Sequence, residues 1–314
     1  MAAVAVVKPG GGLLASVTRG RIENPPRLFV YSLPKVGKSG LAAGAPKPLF
    51  LCSEQGTEQY DVARFVIRDW ATLLGAVDEL IASPHDYQTL VLDTLDWFEA
   101  VLHEHIIAIS PASKSGKKPT SIVTAFDGYG AGYKKAVEEF RGLAARLDTL
   151  NNKRRMSICL LAHAHVKKFN DPASEGWDQY KPKMHELASG FWKEWADGIL
   201  YLALDVATHT TDDGDVRAVT TGERFIYTQP PRTAIYDAGT RWALPERMPI
   251  RWSALEEAIK QSDALRNEFA ALVPKLPADK RAPAQDRARE AKDYDTLKGI
   301  VDYAKTLVSE EKGK

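Results

Sequence analysis

From Arg27 onward the chain alternates between two patterns. Leu28–Ser32, Pro48–Ser53 (PLFLCS), Thr89–Asp93 (TLVLD), Ser157–Ala162 (SICLLA) and Ile199–Leu204 (ILYLAL) are short apolar runs. Such runs, without polar alternation, are expected of strands buried on both faces of a sheet. Between them lie stretches with helical spacing. Asp69–Ala82 puts Trp70, Leu73, Leu74, Val77, Leu80 and Ile81 on one side of a helix, and Trp97–Ile109 and Ala136–Leu150 also read as helices. Arg217–Tyr227 and Thr233–Ala238 read as hairpin strands after the turn TDDGD. Beyond Pro249 the pattern is helical, with breaks around Pro274–Pro283. Strands alternating with helices predict an α/β fold: a mostly parallel central sheet with helices on both faces, an antiparallel hairpin at one edge and a helical C-terminal tail. The expected division is a flexible arm over residues 1–24, a core over 25–255 and a helical extension over 256–314.

Composition narrows the class. At 314 residues, 44% hydrophobic and 26% charged, the chain can bury a sizeable core. A net charge of +1 excludes a globally polycationic nucleic-acid binder, so any such surface must be local. Cys52 and Cys159 each sit in an apolar run and read as small buried hydrophobes in a reducing compartment. No apolar run approaches the ~20 residues needed to span a bilayer. The N-terminal segment lacks a basic n-region and runs into Lys8-Pro9 and a glycine triplet. The expectation is a soluble cytoplasmic protein, with no membrane partner.

The chemistry concentrates at RLFVYSLPKVGKSGLAAGA, Arg27 to Ala45. An apolar strand, a tight turn, Gly-Lys-Ser and a small-residue helix follow in the order of a phosphate-binding loop. Such a loop points backbone N–H groups at phosphates and needs glycine where the chain turns sharply. Ser32, Leu33, Pro34, Lys35, Val36, Gly37, Lys38, Ser39 and Gly40 form the candidate cradle. Lys38 is placed to reach the β- and γ-phosphates, and Ser39 to hold Mg²⁺. The departure is Ser32, which occupies the position of the usual first glycine. Asp93 ends an apolar strand, as a carboxylate that holds Mg²⁺ through water should, and Glu54 follows another such strand as the candidate base for a water. The ligands implied are ATP and Mg²⁺.

In this order the motifs resemble the RecA-like P-loop NTPase core, and in particular phage-encoded NTP-binding (AAA-type) single-strand annealing and recombination proteins. The resemblance covers Pro25 to Ser253 and includes SICLLAHAH, WADGILYL, YDAGTRWALPE and DGYGAGYKKAVEEF. It implies that Lys38 and Ser39 bind phosphate and Mg²⁺, that Glu54 is the catalytic glutamate and that Asp93 is the Walker B aspartate. It also implies that His163, with His165 beside it, is a polar sensor linking the nucleotide to a DNA-binding loop. Arg241, in a segment without the neighbouring lysine of related sequences, is the candidate cross-subunit phosphate contact. The implied activity is an ATPase that binds single-stranded DNA, oligomerises as a ring or filament, and anneals or pairs strands.

Two loops, Ser110–Tyr133 and Lys167–Ser189, occupy the places where such a core holds DNA. The first offers Lys114, Lys117, Lys118, Tyr129 and Tyr133, and the second Lys167, Lys168, Phe169, Lys181 and Lys183. Cations neutralise phosphates while rings stack on bases, so this mixture suits a single strand. Ordinary mobile surface loops would carry similar residues. The spacing of Cys159, His163 and His165 fits no common zinc module. His103 and His105, beside Glu99 and Glu104, read as a solvated helix face, and Trp192, Trp195, Trp242 and Trp252 as core or interface. A rival of another class is a nucleotide-binding regulatory or partner-loading module that does not bind DNA. Gln261–Lys314 reads first as a solvated helical tail, and alternatively as a segment for docking a partner such as a single-strand-binding or replication protein.

Overall fold

The structure is a computed structural model that describes residues 17, 22–113, 116–170, 175–210 and 216–312. Lys114, the turn TDDGD and most of the N-terminal arm therefore lie outside the described residues. In chain order the first elements are β1 (Arg27–Ser32), α1 (Lys38–Ala43), β2 (Pro48–Cys52), β3 (Ala63–Val66), α2 (Trp70–Ala82), β4 (Thr89–Asp93) and α3 (Leu95–Ile109). Then come α4 (Ala131–Arg154), β5 (Ser157–Phe169), β6 (Trp177–Pro182), α5 (Glu186–Trp195), β7 (Gly198–Thr210), β8 (Val216–Tyr227), β9 (Gly239–Thr240) and β10 (Arg247–Pro249). Helices α6 (Trp252–Leu272), α7 (Ala278–Glu290) and α8 (Tyr294–Lys312) follow.

The apolar runs form the centre of the sheet, in the order β10-β8-β7-β1-β5-β4-β2-β3. Strands β3, β2, β4, β5, β1 and β7 are mutually parallel, and β8 and β10 add antiparallel strands at one edge. Alternation within each central strand divides its side chains between two cores. Phe29 and Tyr31, Leu90 and Leu92, and Ile158 and Leu160 pack with α2–α5 on one face. Leu28 and Val30, Val91, and Cys159 and Leu161 pack with α1 and α6 on the other. Both cysteines are buried and free. A third cluster joins Ala243 to Phe269, Leu276, Leu297 and Val301 of α6–α8 and their connections. Helix α6 continues through the expected 255/256 division, with Trp252, Leu255 and Ala258 packed on the sheet. Among the described residues no helix is long and apolar enough to cross a membrane.

Several elements differ from the sequence reading. Arg217–Tyr227 pairs with β7 across the TDDGD turn, and its other neighbour is β10, not Thr233–Ala238. Thr233–Ala238 survives only as an isolated bridge, Tyr236 to Tyr180. Strand β5 does not stop at Ala162. It runs on to Phe169 and pairs with β6, from Ala164↔Pro182 to Phe169↔Trp177, so the described residues of Lys167–Ser189 form a two-stranded ribbon followed by the start of α5. Long-range pairing supplied what the local pattern did not show. Helix α4 begins at Ala131, five residues before the expected start at Ala136, so Tyr133 lies in a helix rather than in a loop.

Candidate functional site

Parallel strands bring their C-terminal ends to one edge, where open α/β sheets place ligands. Ser32 is the register partner of His163, and Asp93 of Cys52, two residues before Glu54. Together they border a cleft of about 640 Å³ lined by Pro34, Lys35, Gly37, Lys38, Ser39, Glu54, Tyr60, Asp93, His163 and Arg224, among others.

The loop is built around two left-handed positions, Lys35 (φ 65°) and Gly37 (φ 129°). At the second an L side chain would be strained whatever space surrounds it. Val36 is buried under the loop with Leu41, and its carbonyl accepts from Arg224 Nη1 at 3.2 Å. Gly40 leaves room for Tyr60, whose hydroxyl would lie 3.2 Å from an added Cβ. Leu33 is partly exposed at the turn. Ser32 is a regular strand residue without positive φ, so nothing in its backbone requires glycine. Its Oγ donates to Leu33 O at 2.7 Å and accepts from Lys38 Nζ at 3.3 Å, and its carbonyl also faces Nζ at 3.5 Å. The serine thus holds the lysine at the cleft floor. Burial lowers the pKa of the Lys38 ammonium, against the charges of Asp93, Asp96 and Glu54.

Ser39 Oγ donates to Asp93 Oδ2 at 2.7 Å. Burial raises the Asp93 carboxyl, while Ser39, Lys38 and His163 act against the rise. A hydroxyl and a carboxylate oxygen this close, beside a buried lysine, are the hard oxygen donors and the cation that Mg²⁺ and a polyphosphate require. Glu54 is half-buried, and burial raises it too; the charges of Asp93 and Asp96 add, and those of His163 and Lys38 oppose. A carboxyl raised in this way is suited to accepting a proton.

His163 is anchored by a residue the sequence reading passed over. Asp96 accepts the His163 backbone N–H at Oδ1 (2.9 Å) and faces His163 Nδ1 with Oδ2 (3.0 Å). Burial alone would raise Asp96, but the bonds and charge of His163 outweigh it and hold the carboxyl below its ordinary value. Ser53 Oγ accepts from Thr94 N at 3.2 Å and lies 3.3 Å from the Asp93 carbonyl, tying β2 to β4. The available signal for Asp96 was the second acid of TLVLDTLD; for Arg224 it was a cation directly before the apolar run Phe225–Tyr227. Arg241 does not line this chain's own cleft. It pairs with Asp197 at 2.8 Å, and Asp197 in turn holds Arg27 at the N-terminal end of β1. It is therefore at the opposite edge of the sheet from the cleft.

A family described as AAA domain matches residues 24–242. This chain belongs to the AAA domain family. No curated protein matches it. Among solved structures it is similar to one titled crystal structure of the RadB recombinase, at 13% identity over 68% of this chain and 91% of that chain, with a TM-score of 0.32. The core of this AAA-domain protein is an α/β fold with a mostly parallel central sheet, whose phosphate-loop motif sits at the C-terminal ends of the strands.

The remaining candidates of the AAA-domain protein fall into two groups. On the β5–β6 ribbon, Lys167, Lys181 and Lys183 surround His165, whose pKa burial and then these three charges lower. Lys181 Nζ lies 4.6 Å above the Phe169 ring, which meets Trp177 at 5.0 Å. Lys168 is exposed, and Lys167 pairs with Glu186. In the other loop Lys117 and Lys118 are exposed, and Tyr129 is fully exposed between Gly128 and Gly130 in a run of positive φ from Phe126 to Gly130. Tyr133 is not available for stacking on a base in this arrangement, because its ring lies on that of His185 at 3.9 Å. His103 and Glu99 leave the expected solvated face: Glu99 is buried and His103 abuts Tyr133. Trp192 and Trp252 are in the core, as expected.

Proposed function

We propose that this protein is an ATPase of the recombination type, which binds single-stranded DNA in its ATP-bound state and anneals or pairs strands. One observation carries the reading. Strand β5 passes without a break from His163 at the cleft into a ribbon bearing Lys167, Lys168, Phe169, Lys181 and Lys183. A change at the nucleotide is thereby wired to a basic and aromatic surface of the kind single strands need.

In this reading Lys38 neutralises charge on the phosphoryl oxygens. Ser39 and Asp93 hold Mg²⁺, which when bound supplies further neutralisation at those oxygens. Glu54 orients a water and accepts its proton, and His163, fixed by Asp96, reports the state of the cleft to the ribbon. Lys117, Lys118 and Tyr129 contribute a second DNA contact. Assembly into a ring or filament, a partner on the C-terminal helices and a cytoplasmic setting complete the proposal. The test is fluorescence anisotropy with labelled single-stranded DNA, with and without ATP and Mg²⁺, over a salt series. Nucleotide-dependent binding whose logarithm falls steeply with salt supports the reading. ATP binding without DNA binding in any state refutes it in favour of a partner-loading module.

A further inference from the structure

Helix α3 starts two residues after Asp93 and carries Asp96 and Glu99, three apart and so on one face. Each carboxylate accepts a backbone N–H from outside the helix. Asp96 takes that of His163 at 2.9 Å. Glu99 takes that of His185 on both oxygens, at 3.0 and 3.2 Å. These two residues are the feet of the β5–β6 ribbon. Its paired stem begins at Ala164↔Pro182, and Lys183 N donates to the His163 carbonyl at 2.7 Å. One helix, leaving the nucleotide cleft, therefore holds the ribbon at both feet.

Glu99 plays no part in the nucleotide chemistry above, and it is only 5% exposed. No lysine or arginine pairs with it among the described residues. Its nearest basic group is His103 Nε2, at 3.9 Å. The second foot is also clamped from above: the Tyr133 ring of α4 lies on His185, and His103 meets Tyr133 edge-on at 5.6 Å. Burying a carboxyl is unfavourable unless it is hydrogen-bonded, and the His185 N–H is the bond that holds this one in place.

We propose that Glu99 is a positioning residue that makes α3 a two-point carrier, so that a displacement at the cleft moves both feet of the ribbon together. Asp96 sets the first foot and Glu99 the second. Without Glu99 the cleft still reaches His163 and, through the ladder, β6, but His185 and the start of α5 no longer follow. The proposal rests on reading the cleft as a nucleotide site.

The test is hydrogen–deuterium exchange on the full chain, with and without ATP and Mg²⁺, for the wild type, Glu99→Gln and Glu99→Leu, alongside ATP titrations. In the wild type, exchange across residues 184–189, at the second foot and the start of α5, slows by about fivefold or more on adding nucleotide. Glu99→Gln keeps the response, because its amide oxygen still accepts the His185 N–H. Glu99→Leu loses it while binding ATP as the wild type does. A retained response in Glu99→Leu overturns the proposal. So does a wild type that binds ATP without a response at the second foot, an arm that needs no folded variant. A wild type that binds no ATP overturns the functional reading, and this one with it.

Discussion

Replacing Glu99 by Gln should make the protein less sensitive to alkali. Burial raises the Glu99 carboxyl from its ordinary 4.5 to about 7; the His185 N–H opposes the rise and the charge of Asp96 adds to it. Between those values the folded chain binds a proton that the unfolded chain has released. The stability this proton contributes is fully present below about pH 4.5 and is lost as pH rises through 7. Linkage at 1.36 kcal/mol per pH unit makes the loss about 3 kcal/mol. The side chain is 7% exposed, so solvent screening removes little of this. Glu99→Gln keeps the shape and an acceptor for His185 but does not titrate. Urea unfolding from pH 5 to 8.5 should show the wild type falling relative to the variant by about 3 kcal/mol. Parallel stability curves across that range would refute the reasoning.

Lys38→Ala should remove ATP binding by calorimetry, a loss of about a hundredfold or more for a buried cation facing phosphates. Retained affinity would exclude the cleft as the phosphate site. Glu54→Gln should bind ATP normally and hydrolyse it about 10²–10⁴-fold more slowly in a single-turnover assay; an unchanged rate would remove Glu54 from the chemistry. Gly132→Ala would place a Cβ 2.3 Å from the Ile122 carbonyl, where backbone must give way. A loss of about 1–3 kcal/mol in urea unfolding is expected, and a neutral outcome would show that the loop over α4 yields freely.

Much of the sheet is legible in the sequence, because strands buried on both faces are written as unbroken apolar runs. That is why Leu28–Ser32, Thr89–Asp93 and Ser157–Ala162 stand out, together with the loop between Ser32 and Ser39. The ribbon does not stand out. Residues 163–169 and 177–182 mix lysine, histidine and aromatics, and their strand character depends on pairing with each other. The four-residue β3 is short and half-solvated, and it exists because β2 lies beside it. Asp96, Glu99 and Arg224 were hidden for a related reason: each acts on a partner more than sixty residues away in the chain.

Strand β5 is 13 residues long, about 40 Å end to end, and serves two masters along that length. Its first half is locked in register between β1 and β4, while its second half is locked only to β6. Side chains reverse face at every step, so one residue inserted between His165 and Lys167 would turn Lys167 and Phe169 to the opposite side while leaving the cleft intact. Two residues added to each strand of the ribbon would restore the facing and merely lengthen the arm. The reach of this protein can therefore change only in even steps, and chains of this design should differ in ribbon length by pairs.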